Sequence, residues 1–282
     1  LAQGLAAVNG AVVQAVAACP ISERSYGKKI FRRAGEYDNG VHYCYLPMLN
    51  VHRVKDIGVV FSSFFQCRRL IRQNPNKDSV IICDVLNAPI ALGALLAGRC
   101  AHVKCIGVIT DIPELIHENR RSAYCVTSNY IIRKCTEYIF LTKQMNELMN
   151  KENKPFVIIE GMVDAKMKQV DNRLADKYKN PVCMYTGALH KKYGIANLIQ
   201  GFLEAAIDNA ELHIYGRGDY QEEIEKIAKE HSEIKFFGVQ LNEYVVKEQL
   251  KATLLINPRP TTEEYTKYSF PSKNMEYMAS GT

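Results

Sequence analysis

The chain predicts an α/β protein of two domains, each a parallel sheet covered by helices. Three observations carry the prediction. Apolar runs of strand length alternate with longer segments of helical character, the pattern of parallel strands joined by crossover helices. The alternation runs in two series, separated at 161–180 by a segment rich in Asp, Lys and Asn, which reads as a domain connection. Finally, 282 residues with 47% apolar content supply material for two cores, and they carry neither an apolar run of membrane-spanning length nor a signal-peptide pattern. The expected domains are therefore 1–160 and 181–282, in a soluble protein.

In chain order, Leu1 to Asn9 has helical character and Ala11 to Ala18 reads as the first strand. Strands follow at 41–46, 79–85, 103–110, 136–142 and 155–160, with helices between them. The helix at 88–98 opens on Asn87-Ala88-Pro89, with proline in the first turn, where its missing N–H costs nothing. In the second series, strands at 181–187, 211–215, 233–237 and 253–257 alternate with helices at 195–206, 219–231 and 242–251. The last strand is cut off by Pro258 and Pro260, which cannot continue a ladder.

A polar loop then runs into the stretch Ser269 to Gly281, read as the start of a further helix. Ser269 is the expected N-cap and Pro271 falls in the first turn, so the amides of Ser272 and Lys273 point above the strand and form an anion site. Glu276 lies one turn on, where its carboxylate can accept hydrogen bonds from two sugar hydroxyls. An ordinary capped helix with a solvated glutamate is the alternative.

Two more strand ends draw notice. Gly216-Arg217-Gly218-Asp219 follows a strand and opens a helix, and its glycines let the backbone turn tightly and approach a ligand. Gln221 stands where the third glycine of a dinucleotide fingerprint belongs, which disfavours nicotinamide binding. In the first domain a strand ends in Thr110-Asp111, at the carboxyl edge where open α/β sheets place ligands. Asp111 is a site candidate there or the opening of a turn before Pro113, and His117 is a second candidate.

Nine scattered cysteines show no paired metal-ligand spacing and read as reduced core residues of a cytoplasmic protein, with no metal expected. Charge is uneven: residues 1–160 carry a net +7 and residues 161–282 a net −1. A basic first domain suits an anionic partner. Lys28-Lys29 with Arg32-Arg33, and Arg68-Arg69 with Arg72, suit phospholipid headgroups, and a well-charged free surface is the alternative reading. Nucleic acid is disfavoured, since no aromatic-interleaved basic stretch or reader motif is present.

Ser269 to Gly281, taken with Tyr185 to Ile195 and Leu212 to Asp219, resembles the donor half of the retaining family-4 glycosyltransferases. The resemblance implies the GT-B fold, two Rossmann-like domains with parallel sheets facing across a cleft. It implies a bacterial-type enzyme of surface polysaccharide or glycolipid biosynthesis that moves a sugar from a nucleotide-diphosphate donor to a glycan or lipid-linked acceptor. The donor is a substrate, and no cofactor is implied. By the same resemblance Glu276 holds the donor's ribose, Lys191, Lys192 and Lys273 meet the diphosphate, and Gly187, Gly216, Arg217, Tyr268, Phe270 and Ser272 border the nucleotide pocket. Asp111 takes the acceptor-side position. This chain departs from the family's pattern at three places. The arginine after the first glycine is Ala188, the lysine before the next glycine is Tyr193, and the second glutamate, eight residues before Glu276, is Tyr268 in a loop that offers Glu263 and Glu264 instead. The resemblance also implies one strand and a glycine-rich loop ahead of Leu1, and a strand and a returning helix beyond Thr282. A sugar-nucleotide epimerase of the same fold and a non-catalytic nucleotide-binding protein are the rival expectations.

Overall fold

The computed structural model describes residues 1–8, 10–18, 29–51, 54–75, 78–116, 122–163, 171–262 and 264–282. Lys28, Cys19, His117 and Glu263 lie outside them. The chain divides into two compact units, Leu1–Ile159 and Glu160–Thr282.

The first unit runs α1 Ala2–Ala6, β1 Val13–Ala17, β2 Ile30–Phe31, β3 Ala34–Asp38, β4 Val41–Tyr45, β5 Met48–Leu49, α2 Val54–Arg72 and β6 Val80–Asp84. It continues through α3 Ala88–Ala101, β7 Lys104–Ile109, α4 Pro113–Ile116, α5 Ala123–Lys134, β8 Glu137–Phe140, α6 Lys143–Met149 and β9 Phe156–Ile158. Strands β6-β7-β8-β9 form an all-parallel sheet in sequence order. Strand β1 pairs parallel with β4 in a second sheet. The parallel series expected from the sequence is interrupted here, because β3 folds back antiparallel on β4 around Asn39-Gly40, a dipeptide suited to a two-residue hairpin turn. Behind the sheets α2 and α3 pack so closely that a Cβ on Gly93 would stand 2.3 Å from the Val60 carbonyl. The Ser63 hydroxyl donates to the Ile90 carbonyl across the same contact (2.8 Å).

The second unit runs β10 Val182–Thr186, α7 Ile195–Ala205, β11 Glu211–Tyr215, α8 Gln221–Glu230, β12 Ile234–Gly238, α9 Asn242–Lys251, β13 Leu254–Leu255 and α10 Ser272–Ser280. Its sheet is parallel throughout, in the order β12-β11-β10-β13. Apolar side chains cover both faces, as a parallel sheet between helices requires. Leu212, Ile214, Ile195, Ile199 and Ile224 pack on one side. Val182, Met184, Val245 and Ala252 pack on the other. All four strands therefore point their carboxyl ends the same way, and the loops that leave β10, β11 and β13 gather at one edge.

The described cysteines are free thiols, and Cys67, Cys83, Cys105, Cys125 and Cys135 are buried. Among the described residues no helix is long and apolar enough to cross a membrane.

Candidate functional site

Two loops at the carboxyl edge of the second sheet are clasped together by their backbones. The loop after β10 starts at Gly187, whose amide donates to the Tyr215 carbonyl at 3.0 Å. Leu189 N–H donates to the Arg217 carbonyl (2.9 Å), and Tyr220 N–H donates back to the Leu189 carbonyl (3.0 Å). Side chains close the same seam, since the Asp219 carboxylate accepts from the Lys191 amide (3.0 Å) and meets His190 Nδ1 at 3.1 Å. Those two contacts, the amide first, hold the Asp219 carboxyl below its ordinary pKa.

The clasp needs glycine. Gly216 has φ +138°, and a Cβ there would lie 1.8 Å from the Gly187 carbonyl oxygen; one on Gly218 would lie 2.2 Å from that of Leu189. Both contacts are with backbone, which cannot rotate out of the way. The loops border an open cleft of about 740 Å³ lined by Gly187, Ala188, His190, Gly216, Arg217 and Asp219 among others.

A third loop joins from β13. Gly194, at φ +82°, brings the first turn of α7 against the Pro258 carbonyl, only 2.1 Å from where a Cβ would sit. Beside it the Arg259 guanidinium stacks on Tyr193 and Tyr265, 5.4 Å from each ring centre, and donates to Ser269 Oγ (2.9 Å). Lys192 Nζ faces the same two rings at 5.6 and 5.7 Å. The half-buried Arg259 and the exposed Lys192 thus share one aromatic pair, an arrangement that orients each of them.

Helix α10 supplies the fourth side. Its N-cap is Pro271, and the helix starts at Ser272. The expectation of a Ser269 cap is corrected, because the Ser269 hydroxyl accepts from Arg259 and Pro271 precedes the first turn rather than lying within it. Ser272 and Lys273 are still the first two helical residues, so their amides stand at the positive end of the helix. Glu276, about one-fifth exposed, is bound by Lys273 Nζ at 3.1 Å and by Gln249 Nε2 at 2.6 Å. Asn257 ties the β13 loop to the same turn through Asn274 (2.8 Å).

The residues singled out in the sequence distribute as follows. Gly187, Gly216 and Arg217 line the cleft, and Lys191 and Lys192 lie in a 3-10 turn beside it. Lys273 and Glu276 form an ion pair on α10. Tyr268 and Phe270 are half-buried in the loop before α10, with Phe270 against Gly161. Glu264 is exposed in the preceding 3-10 turn. Asp111 belongs to the other unit, exposed just past the end of β7. Sequence reasoning missed Arg259 and Gln249. A lone arginine between two prolines at a strand end was the available signal for the first. For the second it was a glutamine on the apolar face of α9, at the spacing Val245, Gln249, Ala252. Among the described residues no cluster of His, Cys, Asp and Glu could hold a metal ion.

A parallel sheet with close-packed glycine turns at its carboxyl edge, cations around them and a helix N-terminus beside them is an arrangement suited to an anionic ligand. Residues 180–282, the whole of that site, match the family described as glycosyl transferases group 1. Solved structures agree in fold across both units. The lipopolysaccharide outer core galactosyltransferase WaaB, in its apo form, superposes with a TM-score of 0.54 at 17% identity, over 85% of this chain and 63% of that one. The pneumococcal O-GlcNAc transferase GtfA, in complex with UDP and GlcNAc, gives 0.55 at 15% identity, over 88% of this chain and 53% of that one. The catalytic domain of starch synthase IV from Arabidopsis thaliana, bound to ADP and acarbose, gives 0.56 at 11% identity, over 89% and 71%. The fold is that of the GT-B glycosyltransferases, and the chain spans between about half and two-thirds of the length of the first two. No curated protein matches the chain in sequence.

Proposed function

We propose that the protein transfers a sugar, with retention of anomeric configuration, from a nucleotide-diphosphate donor to a glycan or lipid-linked acceptor in surface polysaccharide or glycolipid assembly. One observation carries the reading: the clasped glycine loops form a cleft lined by Gly187, Gly216, Gly218 and Arg217, with Lys191 in the adjoining turn and α10 tied to the end of β10 through Tyr277 and Thr186. Transfer breaks the bond between the anomeric carbon and the diphosphate. Charge then accumulates on the leaving diphosphate and on a cationic sugar ring, and fixed cations and helix-end amides lower that barrier. Lys273 and the α10 amides supply this counter-charge on one side, and Lys191 and Arg217 supply it on the other. Arg259 is a cation from the β13 loop in a chain that has Ala188 and Tyr193 at the family's arginine and lysine positions. Glu276 holds the ribose hydroxyls. Asp111, exposed at the end of β7, is the acceptor-side residue.

The membrane is the natural place for a lipid-linked acceptor, and α2 supports peripheral contact with an anionic bilayer. Its outer stripe is apolar where a soluble helix is polar: Ile57, Phe61 and Phe65 are 61%, 59% and 65% exposed. Arg69 and Arg72 continue that stripe, also exposed. Each basic side chain near an anionic surface contributes about 1 kcal/mol.

The test is an assay of the protein against a panel of nucleotide sugars, with product analysis. Transfer to an acceptor supports the proposal. Conversion of the donor to its epimer without acceptor supports the epimerase, and nucleotide binding with neither reaction supports a non-catalytic binding protein.

A further inference from the structure

We infer that Gln249 is the positioning residue that fixes the Glu276 carboxylate for the donor's ribose. The inference rests on the reading of the second unit as the donor-binding domain. Gln249 projects from α9 and is fully buried. Its amide nitrogen donates to two acceptors, Glu276 Oε1 at 2.6 Å and Thr186 Oγ1 at 3.1 Å. Thr186 is the last residue of β10, adjoining Gly187 of the clasp. Tyr277 holds it in turn, accepting from the Thr186 amide at 3.1 Å. Gln249 therefore links the one carboxylate of α10's first two turns to the strand end from which the cleft loop departs.

The geometry allows the amide a single orientation. Turned over, it would set its carbonyl against the Glu276 carboxylate, and two acceptors facing each other in a buried site repel. In the orientation present, Gln249 Oε1 is buried and has no partner among the described residues. A buried acceptor without a donor carries a desolvation cost, which the two bonds from the nitrogen offset. Such a residue is worth keeping where its nitrogen is needed. Lys273 alone would leave Glu276 free to swing, because a flexible lysine constrains its partner weakly. Gln249 occupies one lone pair of Oε1 from the buried side, Lys273 Nζ meets Oε1 at 3.2 Å and Oε2 at 3.1 Å, and Oε2 keeps a lone pair to accept a hydroxyl.

The consequence is selective: losing Gln249 removes discrimination for ribose hydroxyls and spares diphosphate binding. The experiment titrates the full chain, by calorimetry, with whichever of UDP, GDP and ADP binds tightest and with the 2′,3′-dideoxy form of the same nucleotide. Wild type should prefer the ribose form by about tenfold or more, the worth of one charge-assisted hydrogen bond. Gln249→Leu should lose most of that ratio while the dideoxy dissociation constant stays within about twofold. Gln249→Met, close to glutamine in volume and without a donor, carries the same test if the leucine variant does not fold. In a Glu276→Ala background the Gln249 change should add nothing. An unchanged ratio in the Gln249 variant overturns the inference while the donor reading stands, and so does an equal loss for both nucleotides, which marks a purely structural role. If wild type binds none of the three nucleotides, or Glu276→Ala leaves the ratio intact, the donor reading fails and takes this inference with it.

Discussion

Substituting Gly216 by alanine should break the clasp between the β10 and β11 loops, and the size of the effect follows from its geometry. The new methyl would stand 1.8 Å from the Gly187 carbonyl oxygen, at a φ of +138°. A side chain in that backbone region costs on the order of 1–3 kcal/mol. Moving a backbone carbonyl aside costs a further ~1–3 kcal/mol, as other insertions into close-packed places do. The neighbouring bonds from Gly187 to Tyr215 and from Leu189 to Arg217 would stretch with it. A loss of about 2–6 kcal/mol should therefore appear in the urea midpoint of the transition that reports the second unit, with nucleotide affinity falling in parallel. Gly201 in α7 is the control, because nothing lies within 4 Å of a Cβ there; alanine at that helical site should stabilise by ~0.5–1 kcal/mol. If Gly216→Ala costs no more than about 0.5 kcal/mol, as an ordinary surface change does, the two loops are not packed as described.

Four further outcomes are expected. Glu276→Ala should weaken nucleotide binding by about one to three orders of magnitude and Glu276→Gln by less, measured calorimetrically, since one acceptor survives in the amide. Arg259→Ala should depress transfer more than nucleotide binding, and Arg259→Lys should restore it only in part, because an ammonium loses the planar stack on Tyr193 and Tyr265; equal loss of kcat and affinity in vesicle-free assays would point to folding instead. Phe61→Ser with Phe65→Ser should cut partitioning onto anionic vesicles by about tenfold or more with nucleotide affinity intact, and wild-type binding should fall as salt rises through ~0.1 M. Because the folded Asp219 carboxyl titrates below its unfolded value, its contribution is present above pH ~4 and disappears as pH falls through the lower, folded pKa; the thermal midpoints of wild type and Asp219→Asn should converge on acidification.

The sequence was readable where one signal suffices. Pro258 and Pro260 stop a strand unaided, and the glycines at 187, 216 and 218 announce a turn, so β10 to β13 and their loops were legible from local pattern. The hairpin of β3 was not, although Asn39-Gly40 marked it, because Ala34 to Asp38 is short, exposed along its length and without apolar alternation. At the site, the residues quoted from family likeness were found along the chain, but their partners were not. Gln249 reaches Glu276 across 27 positions and Arg259 reaches Tyr193 across three helices and three strands; such pairings depend on how helices and strands stack, which no window of sequence contains. The Ser269 cap failed for a related reason, since a serine that suits a helix start also suits a nearby guanidinium.

The clasp also bears on the thermodynamics of ligand capture. A phosphate loop that wanders in the free protein must surrender its backbone freedom when the ligand arrives, at roughly 1–2 kcal/mol for each residue ordered. Here the loops at 187–191 and 216–220 are knit together by hydrogen bonds from their own backbone amides, so that cost falls on folding and not on binding. Nucleotide association with this unit should accordingly show a small conformational entropy term and little change in loop hydrogen exchange, with affinity decided by the cations and hydroxyl acceptors at the rim.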